Sequence, residues 1–536
     1  MEKLPLHLNT GLAAEAGVGQ NARPPAGSAD APAAGLRACP LIYEVNAWVW
    51  LHAWQRRLER PVTLADLPEA ALAELSATGA DAVWLMGIWE RSPAGRQQAL
   101  THPDLQAEYR RALPDFSPSD VVGSPYAIHR YEVAPELGGE PALRRLRQRL
   151  CERGLGLILD LVPNHVAIDH PWLITHPDAL VRGSEEDLQH HPDRFFRHEP
   201  TGRIFAYGRD PYFPAWTDTA QLNAQSPAYR YLLTQTLLRL TELCDGVRCD
   251  MAMLLVQRIF TQTWVKSWVN TCAVTDAGTE LWPEVIAATR RRRPDFIFLA
   301  EVYWDMEAEL QAQGFDFTYD KRLYDRLCHG DPASVRDHLL ADLGYQQRSL
   351  RFIENHDEPR AAATLGHGRS QAAAVLALTL PGARLLHEGQ MDGRCVKLPV
   401  QLGRAPHEPP CPELLSFYIR LLQFQRDSVL HDGEYFALAC RPYLGGDRSH
   451  ESLLCHAFGK GGELRIVTIN LSPAPASGRL MLPPFPAGTC WRFRDALNDA
   501  VAPVFSAEDL RVKGLPVFLA AHAAHAFVVE TSARPA

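Results

Sequence analysis

No stretch of the chain approaches 18 apolar residues free of charge, so no membrane span is predicted. The opening residues, MEKLPLHLNTGLAAEAGVGQ, lack a basic start followed by an apolar core, and no secretory signal is expected. The 11 cysteines are scattered without a C-x-x-C pair. An odd count at irregular spacing argues against a disulfide framework, and reduced thiols in a cytoplasm are the simpler reading. No long basic stripe occurs and the formal net charge over 536 residues is −9, which sets nucleic acid aside as a partner. The mildly acidic balance weakly favours neutral or cationic ligands. No Gly-rich turn follows an early strand, so nothing reads as a dinucleotide cradle. No internal repeat is evident.

What is present is an ordinary globular composition, 46% hydrophobic and 22% charged. The length suits roughly two to four domains. Residues 1–38 are rich in Ala, Gly and Pro and read as a flexible tail. Beyond them, short apolar runs at 41–46, 81–87, 156–162, 245–250, 296–302, 315–320, 351–355 and 383–388 read as eight strands. Helical patterns at 67–79, 142–154 and 231–243 lie between some of them. Strands alternating with helices imply right-handed crossovers and a parallel sheet. Eight such units predict an α/β fold, a (β/α)8 TIM barrel. A doubly wound sheet is the structural alternative. Residues from 88 to about 140 read as a long Pro-containing connection. Residues 165–215, rich in His, Pro, Asp and aromatics, read as a small insertion after the third strand. The runs SLLCHAF, LRIVTIN and AHAFVVE predict a C-terminal antiparallel β-domain. The expected layout is tail 1–38, barrel 39–164 and 216–428, insertion 165–215, and β-domain 429–536.

In such a barrel the chemistry sits at the carboxyl ends of the strands. Asp160, Asp250, Glu301 and Asp357 fall at or just after the predicted ends of strands three, four, five and seven. One carboxylate there is ordinarily a cap or an ion-pair partner. Four converging on one rim repel and raise one another's pKa, a cost tolerated where acid–base chemistry uses it. Arg248 precedes Asp250 by two residues and so points to the same side of the strand.

The motifs DLVPNH (160–165), GVRCD (246–250), AE (300–301) and ENHDE (354–358) stand in an order and spacing that resemble the α-amylase superfamily, glycoside hydrolase family 13. GSPYAIHRY (123–131), TAQLN (219–223) and GQMDGRCVKLP (389–399) add to the resemblance, which spans roughly residues 40–430. It implies that Asp250 is the nucleophile, kept ionised by Arg248. Glu301 would be the general acid and then the base, with a raised pKa. Asp357 would bind sugar hydroxyls and favour the oxocarbenium-like transition state. His165 and His356 would hydrogen-bond the same ring, and Tyr126 would stack beneath it. Asp160 would support the arginine, and Asn164 would occupy a position that often ligates a structural Ca²⁺.

One amide is far short of the oxygens calcium needs, so no metal and no other cofactor is expected, and structural Ca²⁺ is not favoured. Met253 and the HRY of 129–131 depart from the pattern of many relatives. Trp84 reads as core, and Trp89 as a possible subsite wall. Trp172 and Trp216, flanking the insertion, are placed to meet substrate. RRRRPD (290–295) reads as a solvated helix end.

The resulting expectation is a cytoplasmic retaining glycoside hydrolase. It would cleave α-glucosidic bonds of α-glucans or maltooligosaccharides through a covalent glycosyl-aspartate. A maltosyl- or glucanotransferase or a trehalose-forming isomerase is the alternative, since the intermediate waits for whichever acceptor arrives. A catalytically silent sugar-binding relative is the reading from another class, set against by the presence of all three acids. Oligomeric state, bond preference and chain length stay open.

Overall fold

The computed structural model describes residues 36–264, 279–498, 500–501 and 504–532. The expected tail lies outside the described residues except for 36–38. Eight parallel strands close into a barrel in sequential order: β1 (Leu41–Asn46), β2 (Ala82–Met86), β3 (Gly156–Leu161), β4 (Gly246–Cys249), β5 (Ile297–Ala300), β6 (Phe317–Tyr319), β7 (Ser349–Arg351) and β8 (Ala383–His387), which pairs back onto β1. The (β/α)8 expectation is met. Helices Glu69–Ala77, Gly139–Cys151, Pro227–Leu243, Leu281–Arg292 and Ala361–Thr379 fall between successive strands. Every residue of β2, β3 and β8 is buried. That is why these strands read as unbroken apolar runs rather than alternating ones.

Two stretches differ from expectation. β7 lies at Ser349–Arg351 rather than 351–355. The side-chain oxygen of Asn355 accepts from the backbone N–H groups of Asp357 and Glu358, which commits this segment to a turn. The Pro-containing connection holds two helices, Pro93–Thr101 and Pro103–Ala112, and an antiparallel pair of strands, Trp89–Arg91 with Ile128–Val133. Pro93 and Pro103 each sit at the first helical position, where the missing N–H costs nothing.

After β3 the chain makes an insertion held by two small antiparallel pairs, His165–Ala167 with Thr219–Gln221 and Phe195–His198 with Arg203–Ala206. The C-terminal region forms two antiparallel sheets. The larger one runs through Leu453–Lys460, Glu463–Asn470, Ala524–Ser532 and Cys490–Asp495; the smaller pairs Cys440–Pro442, Ala476–Leu480 and Leu515–Leu519. Leu454, Val467 and Ile469 pack on Ala373 and Leu376 of the barrel helix Ala361–Thr379. Ala457, Ile466, Phe493 and Phe527 face Leu515 and Val517 in a second core. Among the described residues no helix is long and apolar enough to cross a membrane.

β4 carries the sequence that leads into the acid cluster, and it approaches β5 closely. A Cβ at Gly246 would lie 2.8 Å from both the Cβ and the carbonyl oxygen of Ile297. Gly246→Ala is therefore expected to destabilise the fold by about 1–3 kcal/mol through overpacking, read as a lowered urea midpoint. An unchanged midpoint would show that the strands part without cost.

Candidate active site

The barrel register assembles the site. Arg248 is the Cα partner of Asp160 on β3 and of Leu299 on β5. The ladder continues one step beyond the strands, with Asp250 N–H donating to the Leu161 carbonyl and Glu301 N–H to the Cys249 carbonyl. Asp160, Asp250 and Glu301 thus stand on three adjacent strands at one rim.

They converge on one fully buried guanidinium. Arg248 Nη1 lies 2.8 Å from Asp250 Oδ1 and 3.6 Å from Asp160 Oδ1. Its Nη2 lies 2.8 Å from Glu301 Oε2 and 4.0 Å from Asp357 Oδ2. Its Nε faces the Tyr319 hydroxyl at 3.3 Å, and its plane lies 5.2 Å from the ring centres of Trp84 and Tyr126. Burial and the Glu301 carboxylate push Asp250 up to about 8 against the pull of Arg248. Burial likewise lifts Asp160 to about 6, opposed by Arg248.

Glu301 is fixed from two further sides. Met251 N–H donates to its Oε2 at 2.7 Å and the Tyr303 hydroxyl to its Oε1 at 2.8 Å. Met251 sits in the left-handed region with φ 44°, an unfavourable conformation for a side chain of this kind. That conformation accompanies an amide aimed at Glu301, and strain of this sort collects at functional sites.

Asp357 differs in kind. Its side chain is 40% exposed, against 7% for Asp250 and 4% for Glu301. His356 Nε2 lies 2.9 Å from Asp357 Oδ2, and Nδ1 lies 2.5 Å from Glu44 Oε1. Burial opposes charge on the imidazole, yet Asp357 and Glu44 push it up to about 10. In return, and against the upward effect of burial, His356 holds Asp357 well below the usual carboxylate range. Tyr126 stacks on His356 with ring centres 5.5 Å apart and its hydroxyl 2.5 Å from Nε2. His165, held near 4 by burial, is neutral; its ring lies 5.0 Å from that of Trp216.

The structure therefore brings Tyr126, Asp160, Arg248, Asp250, Glu301, His356 and Asp357 into one cluster, with His165 at its side. Asn164 is turned elsewhere. Its carboxamide oxygen accepts from Gln221 Nε2 at 3.0 Å. Among the described residues no group of three or more His, Cys, Asp or Glu gathers to hold a metal. Trp84 is fully buried, as expected. Trp89 is buried too, its indole N–H donating to the Asp160 carbonyl, so it lines no subsite. Arg290 and Arg293 pair with Asp316 and Asp245 at the end of their helix.

Sequence reasoning missed Glu44, Tyr303, Tyr319 and the Met251 amide. For Glu44 a signal existed: a charge inside the apolar run LIYEVN of a strand buried on both faces. Beside Glu301 a cavity of about 410 Å³ is lined by Met251, Tyr303, Trp304, Phe213 and Lys321. Tyr212 crosses from the insertion to meet Trp304 edge-on at 4.9 Å.

Comparison with known proteins agrees with this geometry. The α-amylase catalytic domain model matches residues 72–312. The chain is 27% identical over 444 residues to the α-amylase MalA of Haloarcula japonica, covering 80% of this chain and 55% of that protein. It is 27% identical over 339 residues to the α-1,4-glucan:maltose-1-phosphate maltosyltransferase of Rhodospirillum rubrum, covering 61% of this chain and 41% of that one. The chain thus spans about half the length of these curated relatives. Among solved structures, the maltogenic α-amylase AmyB of Thermotoga neapolitana superposes with a TM-score of 0.64 at 19% identity, over 92% of this chain and 99% of that one. With the barrel, its rim of acids and these matches together, the chain is similar to members of the α-amylase superfamily, most clearly over residues 72–312.

Proposed function

We propose that this chain is a retaining glycoside hydrolase that cleaves α-glucosidic bonds of maltooligosaccharides or longer α-glucans. The observation that carries the reading is the pairing of Asp250 and Glu301, on neighbouring strand ends, with the two terminal nitrogens of one buried guanidinium. Two carboxyl groups held that way, one to attack and one to protonate the leaving oxygen, are what double displacement needs. A sugar ring seated over Tyr126 presents its anomeric carbon to Asp250. Glu301 passes the proton to the departing glycosidic oxygen while an Asp250 oxygen bonds to the carbon. Arg248 pulls Asp250 toward the anionic form that attacks, against the upward push of burial. Glu301, now a carboxylate, takes a proton from water, and the hydroxide displaces Asp250 with net retention. Asp357, held ionised by His356, stabilises the positive charge that develops on the ring.

Transfer to a second sugar is the other reading. It is favoured by the likeness to a maltosyltransferase and by the cavity beside Tyr303, where the rings of Phe213, Tyr303 and Trp304 stand among charged side chains. A sugar lodged there would meet the glycosyl-enzyme before water does.

Three outcomes are expected. Glu301→Gln lowers kcat/KM on maltooligosaccharides by about 10²–10⁴-fold. The same variant, given an α-glycosyl fluoride whose leaving group needs no proton, accumulates a glycosylated peptide containing Asp250, seen by mass spectrometry; labelling elsewhere would refute the assignment. As pH rises through about 8 Asp250 loses the proton that burial retains on it, so kcat/KM rises as the anionic nucleophile forms, and a profile flat across that range counts against a raised Asp250. Chromatography of maltooligosaccharide digests decides the acceptor: shorter products alone mean hydrolysis, whereas longer ones mean transfer.

A further inference from the structure

Glu44 is the charge that this mechanism does not use. It lies on β1, in register with Trp84 of β2 and His387 of β8, and is wholly buried. Its Oε1 takes the His356 Nδ1–H at 2.5 Å, while Oε2 has no hydrogen-bond partner. Such a group is expensive. A buried carboxylate with an unsatisfied oxygen costs more than a well-packed apolar side chain in the same place. Packing does not explain it, so its effect on His356 is the feature to account for.

His356 Nε2 faces two partners, the Tyr126 hydroxyl at 2.5 Å and Asp357 Oδ2 at 2.9 Å. With Nδ1–H committed to Glu44, the ring has two states. A neutral imidazole has only a lone pair at Nε2 and accepts from Tyr126, leaving Asp357 without a donor. An imidazolium donates from Nε2 toward Asp357. The charge on Glu44 favours the second state. We propose that Glu44 is a positioning residue of this site, holding His356 as an imidazolium so that Asp357 stays anionic and aimed at the sugar. Of the other groups facing the ring, Asp357 itself, 2.9 Å from Nε2, also favours the imidazolium, and Glu44 adds to it from the Nδ1 side. Asp160 from β3 contributes a more distant negative charge, Arg248 from β4 opposes a further cation, and Tyr126 and Trp84 are uncharged. On the far side His387 of β8 helps keep Glu44 ionised, as does His356, against the upward push of burial.

The role assigned to Asp357 rests on the proposed function, but the protonation state of His356 does not. The test is therefore an NMR titration of the His356 ring in the sugar-free full-length protein, with its signals assigned by their loss in His356→Asn. The wild-type ring is expected to titrate well above the ordinary histidine midpoint of about 6.5; a midpoint at that ordinary value overturns the proposal. Glu44→Gln keeps an acceptor for Nδ1–H and removes only the charge, so its midpoint is expected about 1–3 pH units lower. The variant-to-wild-type ratio of kcat/KM should then drop by about tenfold or more between about pH 6 and pH 9, as the charged ring is lost. Glu44→Asp, which restores the charge, should recover a raised midpoint. A Glu44→Gln midpoint equal to wild type overturns the proposal. If Glu44→Gln does not fold, the wild-type and Glu44→Asp titrations decide it. Wild-type protein inactive on maltooligosaccharides, but with the midpoint shifts in place, would refute the proposed function and leave the hold of Glu44 on His356 standing.

Discussion

A guanidinium buried at the mouth of the barrel is the interaction on which the rest of the site depends. Arg248 has four carboxylates within 4.0 Å and no exposure to water. Neither side of this arrangement is tolerable alone. Burying an unpaired cation or several unpaired acids would cost several kcal/mol each. Together they are stable, and the rigid fork of the guanidinium sets the spacing of the acids it joins. The barrel supplies the geometry, since Arg248 is in register with Asp160 and its strand runs directly into Asp250.

A second network meets the first at Asp357. Glu44, His356 and Asp357 form a carboxylate–imidazole–carboxylate chain running from the barrel wall to the cleft. The two networks drive neighbouring acids in opposite directions. Burial and the Glu301 carboxylate raise Asp250 to about 8, while the adjacent imidazole keeps Asp357 charged. Environments that push like groups apart in this way divide acid from anion within a single site.

Some of this was legible before any coordinates. Barrel strands such as GLILDL stand out because both their faces are covered, so their apolar runs are unbroken. The carboxylates at strand ends could be placed once the strands were. β7 was misplaced because a side chain, Asn355, takes backbone donors that a ladder would otherwise use. The helices after Pro93 and Pro103 were hidden because proline signals a break or a start alike. Glu44 stands out locally only as a charge in an apolar run; its partner is 312 residues away, and no local pattern reports a contact of that span.

The sequence by itself determined the alternation that closes a barrel and the identity of the acids at its rim, because strand period and residue type are local properties. Only the tertiary structure decided which charges face one another. It placed Arg248 between Asp250 and Glu301, turned the Met251 amide toward Glu301, joined Glu44 to His356, and spent Asn164 on Gln221. Protonation depends on distance and burial, and these exist only after the eight strands have closed.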